Sequence, residues 1–109
     1  MLLWEILLPT QFDDTKEEVS VEHHREWDRL VREVSGGLTM LRSATGQWVH
    51  LGEVQQESVI PVRLIATREQ IEEIAKFTAR HYRQKVIMVY KISDEVLFMT
   101  DADNEQRHD

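Results

Sequence analysis

Cysteine is missing from this sequence of 109 residues. Its absence excludes disulfide bonds, a cysteine nucleophile and every zinc motif that uses thiolate ligands. Basic residues are also few, with 13 Lys and Arg against 20 Asp and Glu, which gives a net charge of −7 at pH 7. A surface of that charge disfavours non-specific binding to DNA or RNA, because counterion release from phosphate needs clustered cations. We therefore expect no nucleic-acid partner.

Long apolar runs are absent as well, since no stretch approaches the roughly 18–20 apolar residues of a membrane span. The apolar N-terminus has no basic flank, and Glu5 and Pro9 interrupt it before the apolar part of a signal peptide is complete. The sequence thus predicts no membrane partner and a cytoplasmic location. Its length favours one domain over residues 1–99. A disordered acidic tail is expected at 100–109, which has almost nothing to bury.

Two helices are predicted from apolar residues that recur every three or four positions. The first covers residues 16–35 and ends at Gly36, because glycine adopts the left-handed C-terminal conformation without penalty. The apolar stripe of the second ends at Tyr82. Each helix is expected to begin at a capping box, formed by Thr15 with Glu18 and by Thr67 with Gln70.

Four strands are predicted around these helices. They cover residues 2–8, 38–50 with a turn or bulge at 43–46, the second half of 53–66, and 86–92. The order β-α-β-β-α-β predicts an α+β, ferredoxin-like sandwich, with a four-stranded antiparallel sheet and two helices on one face. The expected spatial order of the strands is four, one, three, two. Pro61 falls in a central strand, where either one-sided pairing or a bulge explains it.

Alternation along the strands predicts one sheet face under the helices and one outer face. The outer face is half apolar, and an uncovered sheet of this kind usually meets another subunit or a ligand. We therefore expect a homo-oligomer, a dimer or a trimer, that buries it. Glu5 is expected to lie between two cations of the neighbouring strands. The predicted members of the outer face are Leu3, Glu5, Leu7, Arg63, Ile65, Ile87, Val89 and Lys91.

The segment 37–59 concentrates the side chains that suit a binding site. Leu51 and Gly52 are expected to form a tight turn of a hairpin, and Trp48 is expected to be its buried anchor. A small molecule is a possible partner of this hairpin. The residues predicted to bind it are Thr39, Gln47, Trp48, Glu57, Ser58 and Tyr82.

Cofactors and metals are not expected. Gly36 and Gly37 follow a helix instead of preceding one, so no helix N-terminus is aimed at a phosphate. His24 and Asp28 share a helix face, but two ligands are too few for a catalytic zinc site.

An enzyme is the alternative interpretation, of the type in which two such sheets close into a dimeric α/β barrel. Its candidate acid–base groups are Glu57 and His81. Thr39 or Tyr82 would orient the substrate through a hydroxyl group.

A longer pattern in this segment consists of Gly37-Leu38-Thr39-Met40-Leu41, Gly46-Gln47-Trp48, Gly52 and Glu57-Ser58. It resembles a small bacterial family of uncharacterised domains that carry it on a ferredoxin-like scaffold, over about residues 20–92. More distantly, the whole layout is similar to the oligomeric PII-like and CutA-like signalling proteins. That resemblance implies a non-catalytic sensor of a small ligand or an assembly module.

Overall fold

The computed structural model describes residues 2–101. The part of the predicted tail from residue 102 onward lies outside the described residues. Within them the chain forms five strands and two helices. In chain order these are β1 (Leu2–Pro9), α1 (Val21–Ser35), β2 (Thr39–Met40), β3 (Ala44–His50), β4 (Glu53–Ala66), α2 (Arg68–His81) and β5 (Val89–Ser93).

The strands form one antiparallel sheet in the order β2-β4-β1-β5, and β3 also pairs with β4. Both helices contact strands of this sheet, and they contact each other. The predicted α+β, ferredoxin-like fold and its strand order are therefore confirmed. The sheet has five strands because the predicted second strand is interrupted between β2 and β3.

Pro61 lies opposite that interruption. Met40 pairs with Val62, whereas Ala44 pairs with Val59, so three residues on one side face two on the other. The extra residue is a bulge, and a proline without an N–H group is tolerated next to it. The Pro61 carbonyl still accepts a hydrogen bond from the Leu41 backbone N–H at 2.9 Å.

The core lies between the inner sheet face and the helices. Trp4, Ile6 and Leu8 on β1 are buried, and they pair with Leu64, Val62 and Ile60 on β4. On the helical side Trp27 is fully buried, and its indole N–H donates to the Thr78 hydroxyl at 2.9 Å. That hydrogen bond joins α1 to α2 inside the core.

The first helix begins five residues later than the capping-box pattern predicts. Ser20 is the N-cap, and its hydroxyl accepts the His23 backbone N–H at 3.1 Å. The preceding residues form a tight loop instead, because Lys16 has a left-handed φ of 62° and its N–H donates to the Phe12 carbonyl. The predicted end is confirmed, since Gly36 is left-handed and its N–H donates to the Arg32 carbonyl.

The last strand faces the opposite way from the prediction. Val89 pairs with Ile6 and Lys91 pairs with Trp4, which places both on the inner side, and Tyr90 pairs with Glu5. Ile87 and Val89 pack against the core, and Lys91 forms an ion pair with Asp94. The assignment of Ile87, Val89 and Lys91 to the outer face is therefore wrong. Apart from Lys91, residues 86–92 are apolar at both parities, so the sequence does not show which set of side chains faces the core.

The capping box of α2 offers a test, with Thr15 as the matched control. The Thr67 hydroxyl accepts the Gln70 N–H at 3.1 Å, and the Gln70 side chain accepts the Thr67 N–H at 2.9 Å. We expect Thr67→Ala to lower the free energy of unfolding by about 1 kcal/mol, the usual effect of losing an N-cap. Thr15→Ala removes only a local turn contact to Glu17 and should change it by less than about 0.5 kcal/mol. Urea melts of both variants decide this, and equal losses would contradict it.

Candidate functional site

The hairpin of β3 and β4 projects from the body of the protein. Its turn is formed by Leu51 and Gly52, both with left-handed φ values of 52° and 80°. Two such residues between paired strands make the primed turn that matches strand twist. The predicted turn is thus confirmed. The hairpin contributes to an elongated shape of 59 × 29 × 26 Å.

Trp48 is not a buried anchor. Its side chain is 47% exposed, so the predicted burial is wrong. Trp48 pairs with Gln55 in the projecting part of the hairpin, where most side chains of both strands are exposed. Its neighbour Gln47 donates from its side-chain amide to the Gln56 side-chain carbonyl oxygen at 2.9 Å.

A polar cleft of about 280 Å³ lies at the base of the hairpin, where β4 leaves the β3 pairing and meets the end of β1. The Thr10 hydroxyl donates to the Ser58 carbonyl at 3.1 Å, which ties the residues after β1 to the hairpin. The cleft offers three hydroxyl groups, two amides and one carboxyl group to a ligand. Its lining residues are Thr10, Gln11, Thr45, Gln56, Glu57 and Ser58.

Glu57 is the one ionisable residue among those that line the cleft. Partial burial raises the pKa of its carboxyl group, and the negative charge of Asp13 raises it further. Lys16 acts in the opposite direction. A ligand that brings N–H donors or a positive charge would compensate the lost solvation of this carboxylate.

Of the predicted binding residues, Glu57 and Ser58 lie in the cleft and Gln47 is bonded to one of its walls. Thr39 lies away from it, paired with Arg63, and Tyr82 is fully buried in the core. Four lining residues were not predicted: Thr10, Gln11, Thr45 and Gln56. The available signal was the strand order, because pairing of the first and third predicted strands brings the end of one beside the start of the other.

A histidine cluster joins the start of α1 to the end of α2. The rings of His23 and His81 stack with centroids 3.8 Å apart. Each donates from Nε2 to the other's backbone carbonyl, at 2.6 and 2.8 Å. The carbonyl oxygens can only accept, so both Nε2 atoms carry protons. His81 is therefore engaged in this contact, and it does not line the cleft that contains Glu57, the other group of the acid–base alternative.

Tyr82 also belongs to this cluster, because its ring contacts the rings of His23 and His81 edge-on. Its hydroxyl forms a hydrogen bond with His24 Nδ1 at 2.7 Å. Burial lowers the pKa of His24, and the neighbouring His23 and His81 lower it further. Burial also raises the pKa of Tyr82, as does the Asp28 carboxylate. These shifts keep the pair neutral, which suits a structural contact between the helices.

Metal ligands do not converge in the described part of the chain: residues 2–101 contain no group of three or more His, Cys, Asp or Glu placed to hold an ion. Within the same residues, neither helix has the length and apolar character that crossing a membrane requires.

The chain is similar in structure to several solved CutA proteins. A divalent cation tolerance protein, CutA1 from Thermus thermophilus, matches with a TM-score of 0.64 at 11% identity, covering 96% of this chain and 91% of that one. A periplasmic divalent cation tolerance protein, CutA from Archaeoglobus fulgidus, has a TM-score of 0.66 at 10% identity, with 89% and 86% covered. A PII-like CutA protein from Nostoc has a TM-score of 0.58 at 17% identity, with 85% and 80% covered.

This chain has the CutA fold. At such identities the likeness shows the architecture alone. No protein-family model matches the sequence, and no curated protein does. The predicted relation to CutA-like proteins is thus supported at the level of fold, whereas the glycine-containing pattern and its bacterial family stay predictions.

Glu57 predicts a pH dependence of stability. Its pKa is raised above the ordinary 4.5, so the native state holds this proton more tightly than the unfolded chain. The wild type should therefore lose stability as pH rises from 4.5 through the raised pKa. Glu57→Gln removes that loss, and its free energy of unfolding should improve relative to the wild type across this window.

Urea melts at several pH values across that window measure the difference. Glu53→Gln, which removes an exposed carboxylate from the same strand, is the control for a change in charge alone. A Glu57→Gln difference that stays constant across the window would contradict the prediction.

Proposed function

We propose that this protein is a non-catalytic, homo-oligomeric module that binds a small polar molecule in the cleft at the base of its hairpin. The observation that carries the proposal is the outer sheet face. Both helices of residues 2–101 lie on the other side of the sheet, so neither covers the outer face. An uncovered sheet face with apolar residues of this kind commonly marks a surface for association with another protein.

The outer face is apolar around one ion pair. Leu3, Leu7 and Ile65 are half-buried there, next to the buried Pro61. In their midst Arg63 Nε donates to Glu5 Oε1 at 2.9 Å. Glu5 is only 7% exposed, whereas 46% of the Arg63 side chain is open to solvent. A second copy would cover this cation and the apolar residues around it.

The correction to β5 changes the expected charge pattern. Lys91 lies on the inner side of the sheet, so Glu5 has one cationic partner on the outer face instead of two. The pair is neutral in sum, and burying it between copies leaves no net charge at the interface. This is more favourable for self-association than a row with an excess cation.

The cleft supports the ligand part of the proposal. Its hydroxyl and amide groups can donate and accept, whereas the ionised carboxylate of Glu57 can only accept. The raised pKa of Glu57 reflects lost solvation of that carboxylate, so ligands that supply N–H donors are favoured, such as small amines or amides. The similar solved proteins are named a divalent cation tolerance protein and a PII-like protein, and these names agree with a protein that binds a small ligand. The acid–base alternative has no such support, because His81 is engaged by His23.

Self-association is tested through the ion pair. Glu5→Gln leaves Arg63 without a carboxylate in a covered interface, and breaking a buried pair costs about 3–5 kcal/mol. We expect the dissociation constant of the oligomer to rise by at least about 100-fold. Sedimentation velocity of the wild type and variant measures this change.

Glu33→Gln is the matched control, since it removes an exposed partner of Arg29 on α1 and should not alter assembly. A wild type that is monomeric at micromolar concentration would overturn the self-association. An oligomeric wild type with an unchanged Glu5→Gln variant would place the interface on another surface.

Ligand binding is tested by thermal shift against a set of small amines, amides and uncharged controls. A molecule that binds the native state alone raises the melting temperature with concentration. We expect hits among the N–H donors, and we expect Glu57→Gln to abolish their shifts. Glu53→Gln, again the control, should keep them. Hits that survive Glu57→Gln would place the ligand elsewhere.

A further inference from the structure

A second apolar surface lies on the helical side of the molecule, between α2 and the strands β1 and β5. It is a groove of about 530 Å³, which we call the α2 groove. Its floor is apolar and is formed by Leu2, Trp4, Ile71, Ala75 and Val89.

The rim of the α2 groove is cationic. Arg68, Lys76 and Lys91 line it, against the single carboxylate of Glu72. The side chains of the three cations are 70%, 66% and 45% exposed, and their ion pairs are surface pairs. Such pairs contribute little, so the cations can exchange partners at small cost.

The described chain ends in a segment with the complementary pattern. Residues 94–101, which we call the C-terminal segment, read Asp-Glu-Val-Leu-Phe-Met-Thr-Asp and contain no basic residue. Leu97, Phe98 and Met99 are 69%, 68% and 83% exposed. Three consecutive large apolar side chains are thus left in solvent, and two carboxylates lie shortly before them in the chain.

The C-terminal segment does not fill the groove of its own chain, although β5 leads directly from one to the other. The Ser93 hydroxyl donates to the Glu95 carbonyl at 2.8 Å and accepts the Glu95 N–H at 3.1 Å. These two hydrogen bonds hold the chain in a turn as it leaves β5. Beyond the turn its apolar side chains stay exposed.

We propose that the α2 groove of each subunit receives the C-terminal segment of a second copy. Leu97 and Phe98 of that copy lie on the apolar floor, and Glu95 faces the cationic rim. Asp94 keeps its ion pair with Lys91 of its own chain. The inference rests on the proposed self-association, but it uses a surface on the opposite side of the sheet from the outer face. The proposal gives the C-terminal segment a role in assembly. Because the α2 groove and the outer face are different surfaces, an experiment can contradict one interface without contradicting the other.

The absence of cysteine permits a direct test in the full chain. Ala75→Cys places a thiol in the groove, and Phe98→Cys places one on the segment. A disulfide forms only where the two Cα atoms approach within about 4.4–6.8 Å. We expect an equimolar mixture of the two single variants, oxidised with copper phenanthroline, to give a mixed disulfide dimer that is identified by its mass. Ala75→Cys mixed with Leu51→Cys, a thiol at the exposed hairpin turn, is the control and should give several-fold less.

Three outcomes would overturn the inference. One is a yield no greater than that of the control. Another is an internal disulfide in monomers of the double variant Ala75→Cys/Phe98→Cys, which would assign the segment to its own groove. The third combines two results: dodecanoate protects the thiol of the Ala75→Cys variant from alkylation, and the yield of mixed disulfide does not exceed that of the control. This would assign the groove to a small amphipathic anion. If the wild type sediments as an oligomer in any of these cases, only the groove interface is contradicted and the proposed function stands. A monomeric wild type would contradict the proposed self-association itself.

Discussion

The pairing of β1 with β4 is the constraint on which the rest of this structure depends. Eight consecutive residue pairs, from Leu2 with Ala66 to Pro9 with Val59, place every second side chain of both strands in the core. The intervening residues must then face the outer side of the sheet, because side chains alternate between the two faces of a strand. The same register sets Glu5 beside Arg63, and it delivers Thr10 to the base of the hairpin.

The length of β4 links the core to the candidate site. Its 14 residues serve two environments: the second half is buried in the sheet, and the first half forms one arm of the projecting hairpin. The polar cleft lies at the change between them. A ligand bound there would contact both the hairpin and the residues that follow β1, so it could restrain the hairpin relative to the body. That position is consistent with the ligand-binding role proposed above.

Histidine and tyrosine side chains form the hydrogen bonds that hold the two helices together. His23 and His81 bind each other's backbone carbonyls, and Tyr82 binds His24 beneath them. With the Trp27–Thr78 hydrogen bond, these contacts form a polar seam through the helical layer. The histidine and tyrosine side chains that suggested chemistry in the sequence instead form hydrogen bonds between the helices, while exposed apolar side chains lie on the hairpin and the C-terminal segment. Such a distribution agrees with the proposed self-association.

The sequence by itself determined the element types, the strand order, the Thr67 capping box and the turn at Leu51 and Gly52, because each depends on local periodicity or on local backbone chemistry. It also placed Glu5 and Arg63 together through strand parity. Only the tertiary structure decided the facing of β5, since its apolar run fits either parity and the pairing with β1 selects one. Tertiary structure likewise decided that Trp48 is exposed, because burial depends on whether an opposing layer reaches that far along the hairpin. The same holds for the start of α1, where a tight loop at Lys16 overrides a capping pattern that is correct in spacing alone.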